Sequence, residues 1–322
     1  MNVPRLSIIM SVFNGAEYLH EAISSIQTQS FRDWEFLIMD DGSTDETSSI
    51  LKKISDPRIR YYNQENSGLT VSLNRLLMLA KGVFVARQDA DDISYSNRFE
   101  HQLSYLDKHP DIGLLGTWAD QIDHFGEKLD EICPVSDPED IKKLLPFENP
   151  FIHASIVVRK DLIDKVKGYR DVFKYSQDYD LVLRISEHAD LANLRHILCG
   201  KRHTPSMVSI SNNSEQQYYA ELARKMWRER SETGTDSIIS GRKIDLPEKT
   251  SGLSNSGAVI YHKHLISSWI RKGECGKTRR EIRALLDISF FEPYAYFQYL
   301  LTFMGSWFLQ KSVHLLDVLR GY

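Results

Sequence analysis

The stretch Leu6–Thr47, LSIIMSVFNGAEYLHEAISSIQTQSFRDWEFLIMDDGSTDET, reads as strand, helix, strand, and it decides the fold class. Its first run, Leu6–Phe13, is apolar and β-branched and is bounded by Pro4 and by Asn14-Gly15, which predicts a strand buried on both faces. From Glu17 to Gln29 the apolar Leu19, Ala22, Ile23 and Ile26 recur at three- and four-residue spacing, the stripe of an amphipathic helix. A second strand, Glu35–Asp40, then ends in Asp-Asp-Gly-Ser. Ser43, with Glu46 three residues on, reads as a capping box that opens a helix over 45–54.

The alternation continues outward from this stretch. Strands are predicted at Ile59–Tyr62 and Val83–Arg87, with a helix from Leu69 to Ala80 between them. A helix over Asn97–His109 stops at Pro110. Strands follow at Ile112–Ala119 and Phe151–Val158, then a helix over Gln177–Ala189. Alternating strands and helices predict an α/β fold around a mixed, mostly parallel sheet flanked by helices. Two domains are expected: a catalytic one over residues 1–214 and a helical C-terminal extension over 215–322. Residues 231–256 lack apolar periodicity and are rich in Ser, Thr and Gly, the composition of a linker or open loop.

At 322 residues, 42% hydrophobic and 26% charged, the chain has the composition of a soluble globular protein. A net charge of -4 argues against a dedicated nucleic-acid binder. The three cysteines, Cys133, Cys199 and Cys275, lie far apart, as reduced thiols of a cytoplasmic protein would. The N-terminus lacks the apolar core and cleavage site of a secretory signal.

The acidic run Asp89-Ala90-Asp91-Asp92 follows a buried strand. Carboxylates this close repel one another, so the cluster is costly unless a cation neutralises it. Mg²⁺ or Mn²⁺, held by one or two carboxylates and by diphosphate oxygens, meets that need; an acidic turn that caps the next helix is the plainer alternative. Asp40-Asp41 and Phe13-Asn14 also sit at strand ends, and open α/β sheets bind ligands beyond the carboxyl ends of their strands.

Taken in order, SIIMSVFNGAEYL (Ser7–Leu19), EFLIMDDGSTDET (Glu35–Thr47), NSGLTVSLN (Asn66–Asn74), AKGVFVARQDADDIS (Ala80–Ser94), NPFIHASIVVRK (Asn149–Lys160) and QDYDLVLRIS (Gln177–Ser186) resemble a family 2 glycosyltransferase of GT-A fold, a Rossmann-like nucleotide-binding architecture. The resemblance covers residues 6–210 and implies an inverting enzyme that moves one sugar from a nucleotide-diphosphate sugar to an acceptor hydroxyl. It assigns Ser11, Val12, Phe13, Asn14 and Glu17 to the nucleotide-binding end of the first strand. Asp40 is assigned to the base, which makes uracil the expected one, and Gly68 and Arg87 to the path of the nucleotide. Asp89 and Ala90 fall beside the ribose and donor sugar, and Asp91 on the metal. His203 matches a histidine on the diphosphate-metal side, and His153 one on the acceptor side. Asp178 takes the position of the base that deprotonates the acceptor, with Asp180 as its nearest rival. Two departures stand out: Ser11 where the family often has Pro, and Gln177 where Glu-Asp is the commoner spelling.

Two other classes compete with this reading. A sugar nucleotidyltransferase needs a Gly-rich and basic loop after its first strand, and FNGAEYL has one Gly and no basic residue. A non-catalytic nucleotide-sugar-binding module has no use for a separately placed base. Neither a Gln-x-x-Arg-Trp segment nor a set of membrane spans follows the catalytic region, so the resemblance implies single additions, as in O-antigen or capsule synthesis on a lipid-linked or oligosaccharide acceptor. In the C-terminal third, residues 290–309 (FFEPYAYFQYLLTFMGSWFL) are crowded with aromatics. Arg271, Lys272, Lys277, Arg279, Arg280 and Arg283 form a basic cluster just upstream. Together they predict peripheral contact with the cytoplasmic face of the inner membrane, or else a helical subdomain packed on the catalytic core or on a homodimer partner.

Overall fold

The apolar runs become strands that are buried on both faces. In the computed structural model, which describes residues 3–204, 213–242, 244, 256–289 and 293–303, β1 (Leu6–Val12) lies between β2 (Trp34–Asp40) and β4 (Phe84–Arg87), parallel to both. Strand β3 (Ile59–Asn63) adds to β2, also parallel. The remaining strands are β5 (Ile93–Ser94), β6 (Ile112–Ile122), β7 (Lys128–Ile132), β8 (Val157–Arg159) and β9 (Asp190–Arg202). The order across the sheet is β3-β2-β1-β4-β8-β6-β9-β5, with β7 on β6. The pairs β4–β8, β6–β8 and β5–β9 are antiparallel, so the sheet is mixed.

Strand alternation splits the apolar side chains between two cores. Ile8, Met10, Phe36, Ile38 and Ala86 face α1 (Ala16–Gln27) and α4 (Arg98–Lys108). Ile9, Leu37, Met39 and Val85 face α3 (Leu69–Leu79), α7 (Gln177–Ser186) and α8 (Asn213–Thr233). The short helices α2 (Thr47–Leu51), α5 (Pro138–Leu144) and α6 (Lys160–Lys165) complete this part of the chain.

Two sequence expectations are corrected. Ser43 does not close a capping box: its Oγ accepts from Asn14 N at 2.9 Å, and α2 is a single short turn with no side-chain cap bond at Glu46. The strand predicted over Phe151–Val158 is reduced to Val157–Arg159, because His153–Ser155 forms a 3₁₀ turn. There Ser155 Oγ donates to Ile152 O at 2.9 Å and accepts from Thr117 N at 3.2 Å, so side-chain bonding replaces the sheet ladder locally.

The chain divides into two units. The first comprises residues 1–120, 131–201 and 214–247, and α8 buries Tyr219, Leu222, Ala223 and Met226 in its core. Part of the expected linker is anchored here: Asp236 is fully buried and pairs with Arg170 at 2.7 Å and Arg230 at 2.6 Å.

The second unit comprises residues 121–130, 202–213 and 248–322. In it α9 (Ser256–Arg271) and α10 (Cys275–Ile288) pack through Ile266, Ile270, Ile282 and Leu285. Part of the basic cluster is neutralised here, since Arg271 pairs with Asp130 at 3.5 Å, Lys277 with Glu127 at 2.5 Å, and Arg280 with Glu281 at 2.9 Å. Of the aromatic tail, residues 290–292 and 304–309 lie outside the described residues. Helix α11 (Pro293–Leu301) and the turn after it bury Gln298 and Thr302 while exposing Tyr296, Phe297, Leu300 and Phe303, the reverse of a globular helix. No described helix is long and apolar enough to cross a membrane.

Candidate active site

Strand register brings the chemistry to one edge. Val12 lies beside Asp40, and Ile9 beside Arg87, so the loops after β1, β2 and β4 all leave from the carboxyl edge of the parallel strands. The first two loops are sewn together. Asn14, at φ +50°, accepts from Thr44 N at 2.8 Å through its side-chain oxygen. Gly15 N donates to Thr47 Oγ1 at 3.0 Å, and Ala16 N to Asp45 Oδ2 at 3.1 Å. These bonds satisfy the start of α1 and leave Phe13 exposed at the end of β1. Ser11 is half-buried, and Glu17 stands exposed in the first turn of α1. A Cβ on Gly15 would lie 3.6 Å from Ala90 Cβ, which places the Asp89–Asp92 turn against the first loop.

The two acids after β2 do different work. Asp40, buried, accepts from Ser43 N at 3.0 Å and from Ser48 Oγ, and so shapes its own loop. Asp41 reaches across to the third segment and accepts from Gln64 Nε2 at 2.6 Å, Ser67 N at 2.9 Å and Gly68 N at 2.9 Å. Gly68 has φ +89° and ψ 161°, a conformation open essentially to glycine alone, although the space around a Cβ there is empty. Asp41 thus holds the Gly68 loop, a role that the sequence alone did not show.

Arg87, 2% exposed, pairs with Asp89. Loss of hydration pushes the Asp89 carboxyl up, but Arg87, His153 and Lys201 outweigh it and hold the group below the usual carboxylate range. Lys201 belongs here by register: Ile93 pairs with Gly200 in the antiparallel β5–β9 ladder, which sets Lys201 opposite Asp92. Asp91 is half-buried in the same turn.

Asp178 lies in the first turn of α7 and accepts from Asn149 Nδ2 at 2.9 Å, remaining partly exposed. The helix starts from Ser176 at φ +54°, a left-handed position for a non-glycine residue. Asp180 is fully buried, with Arg184 at 2.7 Å and Arg170 at 3.6 Å, so it belongs to the structure of the first unit and not to the cleft. His153 bonds through Nε2 to Tyr169 Oη at 2.8 Å. Burial first, then Arg87, lowers its imidazole to about 4 against the pull of Asp178 and Asp89, so at neutral pH it is uncharged. Burial likewise raises the Tyr169 phenol, with Asp178 and Asp89 acting in the same direction. Asp89, Arg87, His153, Tyr169 and Asp178 therefore feel one another electrostatically. Tyr169 carries no motif that spacing alone reveals; only the fold brings it to the cluster.

His203 belongs to the second unit, where its ring lies 5.3 Å from that of Tyr261 and 4.6 Å from that of His264. Among the described residues no group of three or more His, Cys, Asp or Glu side chains could hold a metal ion. A cation at the Asp89–Asp92 turn would need further oxygen ligands from outside the protein, and carboxylate donors are of the type that Mg²⁺ and Mn²⁺ accept.

A family model described as "Glycosyl transferase family 2" matches residues 7–166. The EpsE protein of Bacillus subtilis (strain 168), assigned as a glycosyltransferase, is 38% identical over 190 residues, which are 57% of this chain and 67% of that protein. The O-antigen biosynthesis glycosyltransferase WbnJ of Escherichia coli is 35% identical over 183 residues, 56% of this chain and 71% of that one. Among solved structures, residues 1–349 of S. aureus TarS in complex with UDP-GlcNAc align with a TM-score of 0.55 over 97% of this chain and 92% of that chain. At 15% identity this likeness speaks to the fold.

Proposed function

This chain belongs to glycosyl transferase family 2 and is a glycosyltransferase of GT-A fold, and on that premise we propose that it transfers one sugar from a UDP-sugar to an acceptor hydroxyl with inversion. The observation that carries the proposal is the convergence of the Asp40–Asp41 loop, the Asp89–Asp92 turn and Asp178 on one edge of the sheet. The relation to TarS, solved with UDP-GlcNAc, supports uridine in the donor.

In this reading Ser11, Val12, Phe13, Asn14 and Glu17 line the nucleotide, with the exposed Phe13 ring as a stacking surface. Asp40 faces the base, and Gly68 follows the nucleotide's path. Asp89, held ionised by Arg87, accepts from the ribose or sugar hydroxyls beside Ala90. Asp91 would hold a divalent cation together with the diphosphate, and that cation supplies charge neutralisation on the leaving group when bound. Asp178, oriented by Asn149, takes the proton of the acceptor hydroxyl.

The likeness to WbnJ, named for O-antigen biosynthesis, supports an acceptor in surface-polysaccharide synthesis, a lipid-linked saccharide. The exposed face of Tyr296, Phe297, Leu300 and Phe303 supports peripheral contact with a membrane surface. Incubation with a panel of nucleotide sugars, Mn²⁺ and lipid-linked acceptor tests the proposal: acceptor-dependent UDP release is expected, and binding without turnover for every donor and acceptor tried would refute it.

A further inference from the structure

The His153–Tyr169 pair carries an inference of its own, resting on the glycosyltransferase reading of the cleft. Tyr169 is held rigidly. It follows two successive left-handed residues, Lys167 (φ +61°) and Gly168 (φ +66°). Asn74 clamps its backbone from α3, accepting from Tyr169 N at 2.9 Å and donating to Tyr169 O at 2.9 Å. A Cβ on Gly168 would lie 2.7 Å from Asn74 Oδ1, so the clamp needs glycine at that position. The two rings meet edge-on, with centroids 5.7 Å apart. Strain of this kind persists only where the surroundings over-determine it.

A neutral imidazole has one N–H and one lone pair, and the partner of one nitrogen decides which is which. Nε2 meets the Tyr169 hydroxyl, while Nδ1 has no hydrogen bond among the described residues and is not sealed from solvent. If Nε2 carried the hydrogen, the phenolic O–H of Tyr169, 5% exposed, would have no acceptor among its described bonds. An orphaned buried donor costs about 1–3 kcal/mol. The opposite arrangement, Oη–H donating to Nε2, satisfies the phenol and leaves Nδ1–H, which is not sealed, to meet an acceptor from outside the protein.

We propose that Tyr169 is a positioning residue that fixes His153 as the Nδ1-protonated tautomer, so that His153 offers a hydrogen-bond donor, and no base, to an oxygen of the reacting sugars. His153 lies within electrostatic reach of both Asp89 and Asp178. A donor there binds a sugar oxygen without competing for the acceptor proton, which leaves Asp178 as the group that takes it.

The test uses the full chain labelled with ¹⁵N-histidine. Long-range ¹H–¹⁵N correlation, with the His153 signals assigned by their loss in His153→Asn, is expected to find Nδ1 protonated and Nε2 bare at neutral pH, and Tyr169→Phe to mix the two tautomers. In the same variant kcat is expected to fall about tenfold, the worth of one hydrogen bond, with UDP affinity unchanged. His153→Asn, whose amide N–H falls near the Nδ1 position, is expected to keep more turnover than His153→Gln, whose amide reaches toward Nε2. An Nε2-protonated wild type overturns the proposal, as does a Tyr169→Phe variant with unaltered tautomer and turnover. If Tyr169→Phe does not fold, the order of His153→Asn and His153→Gln decides. Should no donor release its nucleotide with the wild type, the glycosyltransferase reading fails, while the tautomer still tests the pair.

Discussion

Asp178 and Asp180 are two residues apart, and their amides are expected to fail in opposite ways. Asp180 is fully buried; it accepts from Arg184 Nε at 2.9 Å and pairs with Arg184 Nη2 at 2.7 Å, and Arg170 stands 3.6 Å away. Asp180→Asn leaves the Arg184 guanidinium, 4% exposed, without its counter-charge. Breaking a buried pair from one side costs about 3–5 kcal/mol. At a urea slope of about 1–3 kcal/mol/M, the unfolding midpoint falls by about 1–5 M. Each molecule that remains folded keeps its turnover, because the carboxylate does not face the cleft. Asp178 is partly exposed and has one side-chain partner among the described residues, Asn149, so Asp178→Asn costs about 1 kcal/mol or less in stability. Its turnover falls about 10²–10⁴-fold with UDP affinity intact. Urea denaturation paired with UDP release at matched folded concentration reads both variants. The reasoning is refuted if Asp178→Asn turns over normally, or if Asp180→Asn loses turnover while its midpoint stays put.

Four further outcomes are expected. Asp91→Ala is expected to abolish the Mn²⁺ dependence of UDP binding by calorimetry; unchanged dependence removes Asp91 from the metal. Gly68→Ala is expected to destabilise by about 1–3 kcal/mol despite the open space around it, because its backbone conformation excludes a side chain; a neutral result in thermal unfolding would contradict that. Burial pushes the Asp236 carboxyl up, but Ile239 N–H, Arg230 and Arg170 prevail and set it below its ordinary value of 3.8. A depressed folded pKa makes its contribution fully present above about pH 4 and lost as pH falls below that, so the stability gap between wild type and Asp236→Asn is expected to be widest near neutrality and to close in acid. A gap that widens toward low pH would reverse the assignment. Phe297→Ser with Leu300→Ser is expected to release the full chain from anionic liposomes in co-sedimentation; retention on liposomes, or a dimer that the same pair splits, moves the aromatic face to another role.

The sequence by itself determined the strand–helix alternation and, through its resemblance to a known family, the catalytic class. Those are local matters: apolar runs such as Leu6–Val12 and Trp34–Asp40 can only be buried strands, and the acids that end them must fall at one edge of a parallel sheet. The place of Asp178 in the first turn of a helix was legible from the pattern that follows it. What the sequence left open was which of several similar groups does what. Tertiary structure separated Asp40, which shapes its own loop, from Asp41, which holds Gly68 across it, and sent Asp180 into a buried pair with Arg184. It moved Ser43 from its expected cap to Asn14 and broke the strand at His153. Tyr169 was invisible beforehand, because its partner lies 16 positions away and the bond exists only once Asn74 has clamped the turn between them. Secondary structure follows from the pattern of neighbours along the chain, whereas a carboxylate's or an imidazole's role follows from which long-range donor reaches it, and only packing settles that.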